Sequence, residues 1–355
     1  MLDGSPTLPV VAGDLAIDGA AQSGPDGQPS GLVDGFGRVH TNLRIAITDR
    51  CNFRCVYCMP EEMVFYPREH LLTFEEILRL AKLFVALGVD KIRLTGGEPT
   101  LRRDLPLLVR GLSALPGLRD LSLTTNGVRL KQLARPLYEA GLRRINVSLD
   151  SLDPVKFREL ARRDMLPEVL AGLDEADKVG FRPIKLNAVA LRDYTESELL
   201  DFARLARDRG FVVRFIEFMP LDGDDGWDRG RVLDSEEILR HISPVYPLEA
   251  VQARGPEPAQ RYRFVDGRGE IGMIPTISNP FCRNCNRVRL TADGKLRYCL
   301  FALEETDLKT PMREGASDAE LEQMIRRTVA NKWEGHLINQ AGFSRPGRNM
   351  SQIGG

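Results

Sequence analysis

Histidine is scarce, with four residues in a chain of 355. That leaves little material for histidine acid–base pairs or histidine-rich metal centres. No stretch approaches the roughly 18 to 20 apolar residues of a membrane span, so no membrane partner is expected. Charge of one sign is also lacking. Lys and Arg total 49 against 50 Asp and Glu, a formal net charge of −1. This excludes the whole-chain basic footprint of a dedicated nucleic-acid binder and leaves room for a local basic pocket. The N-terminus has no basic region ahead of an apolar run, and Arg38 is the one cation among the first 40 residues. Secretory and mitochondrial leaders are therefore not expected, and the expected location is cytoplasmic. A chain of this size buries roughly 75% of its unfolded surface and needs no disulfide staples. What is present is six cysteines. In a reducing compartment, clustered cysteines are more often metal ligands than disulfides.

Residues 1–40 are rich in Gly, Pro and Asp and read as a disordered extension with no assigned role. From residue 41 a short apolar run, a turn and a helical pattern recur. The expected strands are Leu43–Thr48, Lys91–Thr95, Asp120–Thr125, Arg144–Leu149, Ile184–Ala190 and Val212–Phe218. They are short and apolar without clean alternation, as for parallel strands buried on both faces. Capping boxes at Thr73–Glu76 and Thr195–Glu198 open two helices. Gly88, Gly141, Gly180 and Gly210 sit where helices end. Six such units over 41–220 make the fold class α/β, a partial (β/α)6 TIM-type barrel. After residue 220 the pattern changes. Asp234–Glu237 and Ser317–Glu320 cap helices, and hairpins are expected around Asp266–Gly269 and Ala292–Gly294. Residues 221–355 read as an appended C-terminal α+β module ending in Gly354-Gly355.

Cys51, Cys55 and Cys58 follow directly on the first strand. A closed structural zinc site needs four ligands, and no histidine lies nearby. A [4Fe–4S] cluster held by three cysteines keeps one iron open for chemistry. The C-terminal end of a barrel strand is where barrel enzymes place their active sites. A zinc knuckle borrowing a distant ligand is the bland alternative.

The second set is Cys282, Cys285 and Cys299, with thirteen residues between the last two. A zinc site completed by His336 fits this set about as well. Arg287 and Arg289 follow at once and suggest an anionic ligand, since guanidinium groups match phosphate and carboxylate. Their i, i+2 spacing equally fits one solvated strand face.

Cys51-x₃-Cys55-x₂-Cys58 after a first barrel strand, with Thr95-Gly-Gly-Glu-Pro99 after the second, resembles the radical S-adenosylmethionine (SAM) superfamily. Adding Cys282, Cys285 and Cys299, the chain from about residue 41 onward is similar to the GTP 3′,8-cyclase family. That resemblance implies two [4Fe–4S] clusters and SAM as cofactors, with SAM at the first cluster and the guanine of GTP at the second. It implies the first step of molybdenum cofactor biosynthesis. A 5′-deoxyadenosyl radical takes the ribose 3′ hydrogen, C3′ bonds to C8, and the product is 3′,8-cyclo-7,8-dihydro-GTP.

Carried over residue by residue, the resemblance assigns Tyr57, Gly97, Ser148 and Met219 to SAM. It assigns Arg44, Arg93, Thr124, Lys185, Arg287, Val288 and Arg289 to GTP. Arg287, Arg289, Gly354 and Gly355 are implied to support catalysis. It further implies a homodimer, an external electron donor, and transfer of the product to a cyclic pyranopterin monophosphate synthase. Two alternatives stand beside it: a radical SAM peptide-modifying enzyme with an auxiliary cluster, and a zinc-binding scaffold protein.

Overall fold

A computed structural model describes residues 31–221, 226–252 and 255–355. One twelve-stranded sheet organises the chain. Strands β1 (Asn42–Ala46), β2 (Lys91–Thr95), β3 (Asp120–Thr125), β4 (Arg144–Ser148), β5 (Ile184–Ala190) and β6 (Val212–Glu217) lie in that order, each parallel to the next. The six expected strands are all present, within one or two residues at their ends.

The segment after residue 220 adds strands to both sides of this sheet. β7 (Leu248–Val251), β8 (Gln260–Phe264) and β9 (Glu270–Ile274) extend it beyond β6. β10 (Arg287–Leu290), β11 (Lys295–Arg297) and β12 (Thr306–Asp307) extend it beyond β1. β9 is parallel to β6 and β10 is parallel to β1, so eight neighbouring strands run in one direction. The hairpins β8–β9 and β10–β11 form where the turn residues placed them. The sheet ends in β12 and β7, so the barrel is partial.

One reading of the strands needs correction. They do alternate. Leu43 and Ile45, Ile92 and Leu94, Leu121 and Leu123, Ile145 and Val147, Leu186 and Ala188, and Val213 and Phe215 all enter one hydrophobic core under the helices. Between them stand Arg44, Arg93, Thr95, Thr124, Ser148, Asn187 and Arg214, which face a cavity. Both faces are covered, as in parallel sheets generally, but here the inner cover is polar.

Capping boxes form at Thr73, Asp234 and Ser317 as expected. The one expected at Thr195 does not. Thr195 Oγ1 instead accepts from the Leu191 amide at 3.0 Å, and Glu198 reaches away to the amides of Leu152 and Asp153. The loop between β4 and its helix needs those acceptors more than the helix start does. Gly88, Gly141, Gly180 and Gly210 all have positive φ, the helix-ending conformation the sequence suggests.

The extension also needs correction at its end. Residues 1–30 lie outside the described residues, but residues 31–40 are folded onto the body. Leu32 and His40 are buried, and Val33 bridges to Val39. Short polar segments order when their side chains are tied elsewhere, and Arg38 is such a tie. Among the described residues, no helix is long and apolar enough to cross a membrane.

Candidate active site

All six cysteines are free thiols and line one cavity inside the partial barrel. The first three sit on the loop leaving β1. The second three flank β10 and β11, and β10 pairs directly with β1. Sheet order therefore brings together two motifs more than 220 residues apart in sequence.

The glycine turn after β2 is built for backbone contact with the cysteine loop. Gly97 N–H donates to the Thr48 carbonyl and Glu98 N–H to that of Arg50, each at 2.7 Å. A Cβ on Gly96 would stand 2.3 Å from the Thr48 oxygen, and one on Gly97 would stand 2.3 Å from the Arg50 oxygen. The glycines thus let two protein strands approach, while Gly97 still borders the cavity. Glu98 is buried and binds the Asn126 amide at 2.6 Å and Thr125 Oγ1 at 2.7 Å. It staples the turn after β2 to the turn after β3.

Burial pushes the Cys51 thiol up to about 12, with nearby Glu98 adding to the effect. Cys55 and Cys58 are driven up the same way, by burial and by the surrounding anionic groups. Three buried thiols without a neutralising cation cannot all ionise, whereas a cationic iron cluster would draw the protons off. Phe53 N–H already points at Cys51 Sγ at 3.4 Å. The donor set therefore fits a cluster.

The second set is electrostatically different. Burial would raise Cys285, but Arg287 and Lys332 overcome it and bring the thiol down to about 6. Arg287 Nη2 donates to Cys285 Sγ at 3.5 Å. Cys282 is raised by burial. His336, the fourth ligand of a zinc reading, directs Nε2 to the Thr276 carbonyl at 2.9 Å. Among the described residues no group of three His, Cys, Asp or Glu is placed to hold a single metal ion.

Cations line the space between the two sets. Strand register puts Arg289, Arg44 and Arg93 in one row, Arg44 being the partner of both others. Burial, with repulsion from Arg289 and Arg93, holds Arg44 well below its usual basicity; burial with Arg144 brings Arg93 to about 10, and burial with Arg287 brings Arg289 to about 9. Arg44 Nε and Thr124 Oγ1 are buried with no hydrogen-bond partner. Unpaired buried donors beside crowded cations call for an anionic, oxygen-rich ligand.

Of the residues assigned to SAM, Tyr57, Gly97, Ser148 and Met219 all border this cavity. The Tyr57 hydroxyl donates to Asp150 Oδ2 at 2.6 Å. Of those assigned to GTP, Arg44, Arg93, Thr124, Arg287 and Arg289 border it, and two do not. Val288 is buried in the hydrophobic core, because it alternates with the arginines on either side. Lys185 lines a second cavity with Glu257, Arg261 and Glu270, since it sits near the start of β5 rather than its end.

The tail does reach in. Thr95 Oγ1 donates to a main-chain carboxylate oxygen of Gly355 at 2.8 Å, Arg289 donates to the Gly354 carbonyl, and Gly355 borders the cavity.

Sequence reasoning missed Arg214, Asp150, Asn126 and Lys332. Arg214 is buried and donates to Asn187 at 2.9 Å and Asn146 at 2.8 Å. Gly272 opposite it leaves the room, as a Cβ there would stand 3.1 Å from Arg214 Cγ. A charged residue inside an apolar strand was the available signal.

A three-cysteine loop and a glycine turn at the strand ends of a partial barrel define a radical SAM enzyme. The family model described as Radical SAM superfamily matches residues 45–206, and that described as Molybdenum Cofactor Synthesis C matches residues 211–338. SAM and an iron–sulfur cluster are the cofactors of such a domain. In fold the chain resembles the crystal structure of Streptococcus suis SuiB bound to S-adenosylmethionine, with a TM-score of 0.59 and 13% identity over 87% of this chain and 76% of that one.

The GTP 3′,8-cyclase of Rhodopirellula baltica is 48% identical over 333 residues, 92% of this chain and 93% of that protein. The GTP 3′,8-cyclase of Moorella thermoacetica is 48% identical over 327 residues, 91% of this chain and 100% of that protein. The chain belongs to the GTP 3′,8-cyclase family.

Proposed function

We propose that this enzyme converts GTP into 3′,8-cyclo-7,8-dihydro-GTP, the first step of molybdenum cofactor biosynthesis. The observation that carries the reading is one cavity bordered by both cysteine triads, the arginine row and the C-terminal glycine. Cys51, Cys55 and Cys58 would hold the SAM-binding cluster, and Cys282, Cys285 and Cys299 a second [4Fe–4S] cluster facing the guanine. When bound, SAM and its cluster supply a hydrogen-abstracting radical.

Arg44, Arg93 and Arg289, with Arg214 beside them, would bear the triphosphate charge. Hydrogen bonds to charged groups contribute roughly 1.5–3 kcal/mol each. Their mutual repulsion in the free enzyme is relieved when the anion arrives. Thr124 Oγ1 and Arg44 Nε gain the partners they lack. The apolar walls from Phe281, Phe218 and Ile274 limit water around the reacting carbons.

The ribose loses its 3′ hydrogen, C3′ bonds to C8, and one electron and one proton complete the dihydropurine. Together with SAM cleavage the reaction consumes two electrons from an external donor. A homodimer and hand-over of the product to a cyclic pyranopterin monophosphate synthase complete the proposal.

Anaerobic reconstitution followed by metal and product analysis tests it. About eight irons per chain and formation of the cyclised nucleotide are expected. Stoichiometric zinc in place of iron would make the chain a scaffold. About four irons with SAM cleavage but no nucleotide product would instead favour another radical SAM reaction.

A further inference from the structure

Residues 31–40 take no part in the site as described, yet they are locked in place. Asp34 accepts from Phe36 N–H at 2.9 Å, Arg38 N–H at 3.0 Å, Arg38 Nε at 2.6 Å and His40 Nε2 at 2.9 Å. This carboxylate is buried, and its main consequence is to aim one guanidinium. Arg38 Nη1 donates to the Cys282 carbonyl at 2.8 Å and the Glu334 carbonyl at 2.6 Å, while Nη2 donates to the Trp333 carbonyl at 2.6 Å. The Cys282 loop and the 332–336 turn are thereby joined through one side chain.

The same turn reaches the other two cysteines. Lys332 Nζ donates to the Arg287 carbonyl at 2.9 Å and to the Tyr298 carbonyl. Arg287 is two residues past Cys285, and Tyr298 immediately precedes Cys299. Gly35 N–H bonds to the Ala330 carbonyl at 3.1 Å, which docks the N-terminal segment on the helix leading into the turn. Gly335 packs so closely that a Cβ would stand 3.2 Å from Cys282 Cβ. All three cysteines are thus tied to one turn, and Arg38 is the tie that comes from outside it.

We infer that Arg38, seated by Asp34, is a positioning residue for the second iron–sulfur cluster, fixing Cys282 against Cys285 and Cys299 before metal binds. This rests on the two-cluster reading above. A guanidinium suits the task because its rigid fork can serve several carbonyls at once, which a lysine ammonium at the end of a flexible stem does less well.

The test uses the full chain, reconstituted anaerobically, as wild type, Arg38→Ala, Arg38→Lys and a baseline with Cys282, Cys285 and Cys299 all changed to Ala. Iron and sulfide per chain, the rate of iron release to a chelator, and the electron paramagnetic resonance of the reduced second cluster are recorded. Wild type should hold about eight irons and the baseline about four. Arg38→Ala should fall toward four, or release its second four at least tenfold faster, while SAM cleavage persists. Arg38→Lys should lie between, with an altered second-cluster spectrum. Eight irons, wild-type release and an unchanged spectrum in both variants would overturn the inference. If Arg38→Ala does not fold, Arg38→Lys alone decides by the same criteria. Four irons in wild type would instead overturn the two-cluster reading, and this inference with it.

Discussion

Arg289 donates a hydrogen bond to the carbonyl oxygen of Gly354, which joins the strand behind the second cysteine triad to the last turn of the chain. Gly354 has φ +87°, and a Cβ there would stand 3.0 Å from both Ala46 Cβ and Thr95 Cγ2. The tail is therefore fitted to the end of β1 and β2. Gly354→Ala should lower cyclisation at least tenfold and leave iron content unchanged. Wild-type turnover in that variant would show that the tail tolerates displacement.

Arg348 anchors the tail from the other side. It binds both oxygens of Asp293 at 2.9 Å and Glu305 at 2.6 Å, and it reaches the Tyr66 hydroxyl at 3.1 Å. These groups are largely buried, so the pairs exceed the small worth of a surface bridge. Arg348→Ala should expose the last ten or so residues to limited proteolysis. Cyclisation should fall with them while SAM binding remains. Unchanged protease resistance would contradict the anchor.

Substrate affinity should separate two cationic strand positions that the sequence makes look equivalent. Arg44 lines the cavity with an unpaired Nε, so Arg44→Ala should weaken GTP binding about ten- to hundredfold. Lys185 opens on the other cavity, and Lys185→Ala should weaken it less than about fivefold, the size of a distant electrostatic effect. Equal losses, read by equilibrium dialysis of GTP, would place the triphosphate deeper than the cavity geometry suggests.

Stability should depend on pH through His40. Burial, then Lys332, lowers it to about 4 against 6.5, with Asp34 opposing and Arg38 also lowering it. The folded state therefore holds the imidazole neutral while the unfolded chain protonates it. Its contribution is complete above about pH 6.5 and is lost as pH falls toward about 4. Between pH 7.5 and 5 the loss is about 2 kcal/mol. Urea denaturation of wild type and His40→Gln should show the gap between them changing by that amount. A gap independent of pH would mean the imidazole is solvated.

Much of the fold was legible because strand boundaries and most helix caps are set by local sequence. Lys91–Thr95, Asp120–Thr125 and Ile184–Ala190 are bounded by turn residues that the sequence displays. Spacing marked both cysteine triads as metal sites, but for Cys282, Cys285 and Cys299 it fitted zinc with His336 about as well, and only the family resemblance favoured a second cluster. What was not legible depends on register. Nothing local says that β10 pairs with β1, which aligns Arg289 with Arg44. Nor does local sequence distinguish Lys185, near the start of its strand, from Arg214, whose side chain is accommodated opposite Gly272. Arg38 lay in a segment whose composition reads as unstructured, because its ties run to carbonyls some 240 to 300 residues away.

The most direct measurement is an anaerobic single-turnover reaction with reconstituted protein, SAM, dithionite and GTP deuterated at C3′, followed by mass analysis of the 5′-deoxyadenosine. One deuterium in the deoxyadenosine, together with the cyclised nucleotide, is expected, since both cysteine triads and the arginine row border one cavity. Deoxyadenosine formed without deuterium would contradict GTP as the substrate acted on at C3′.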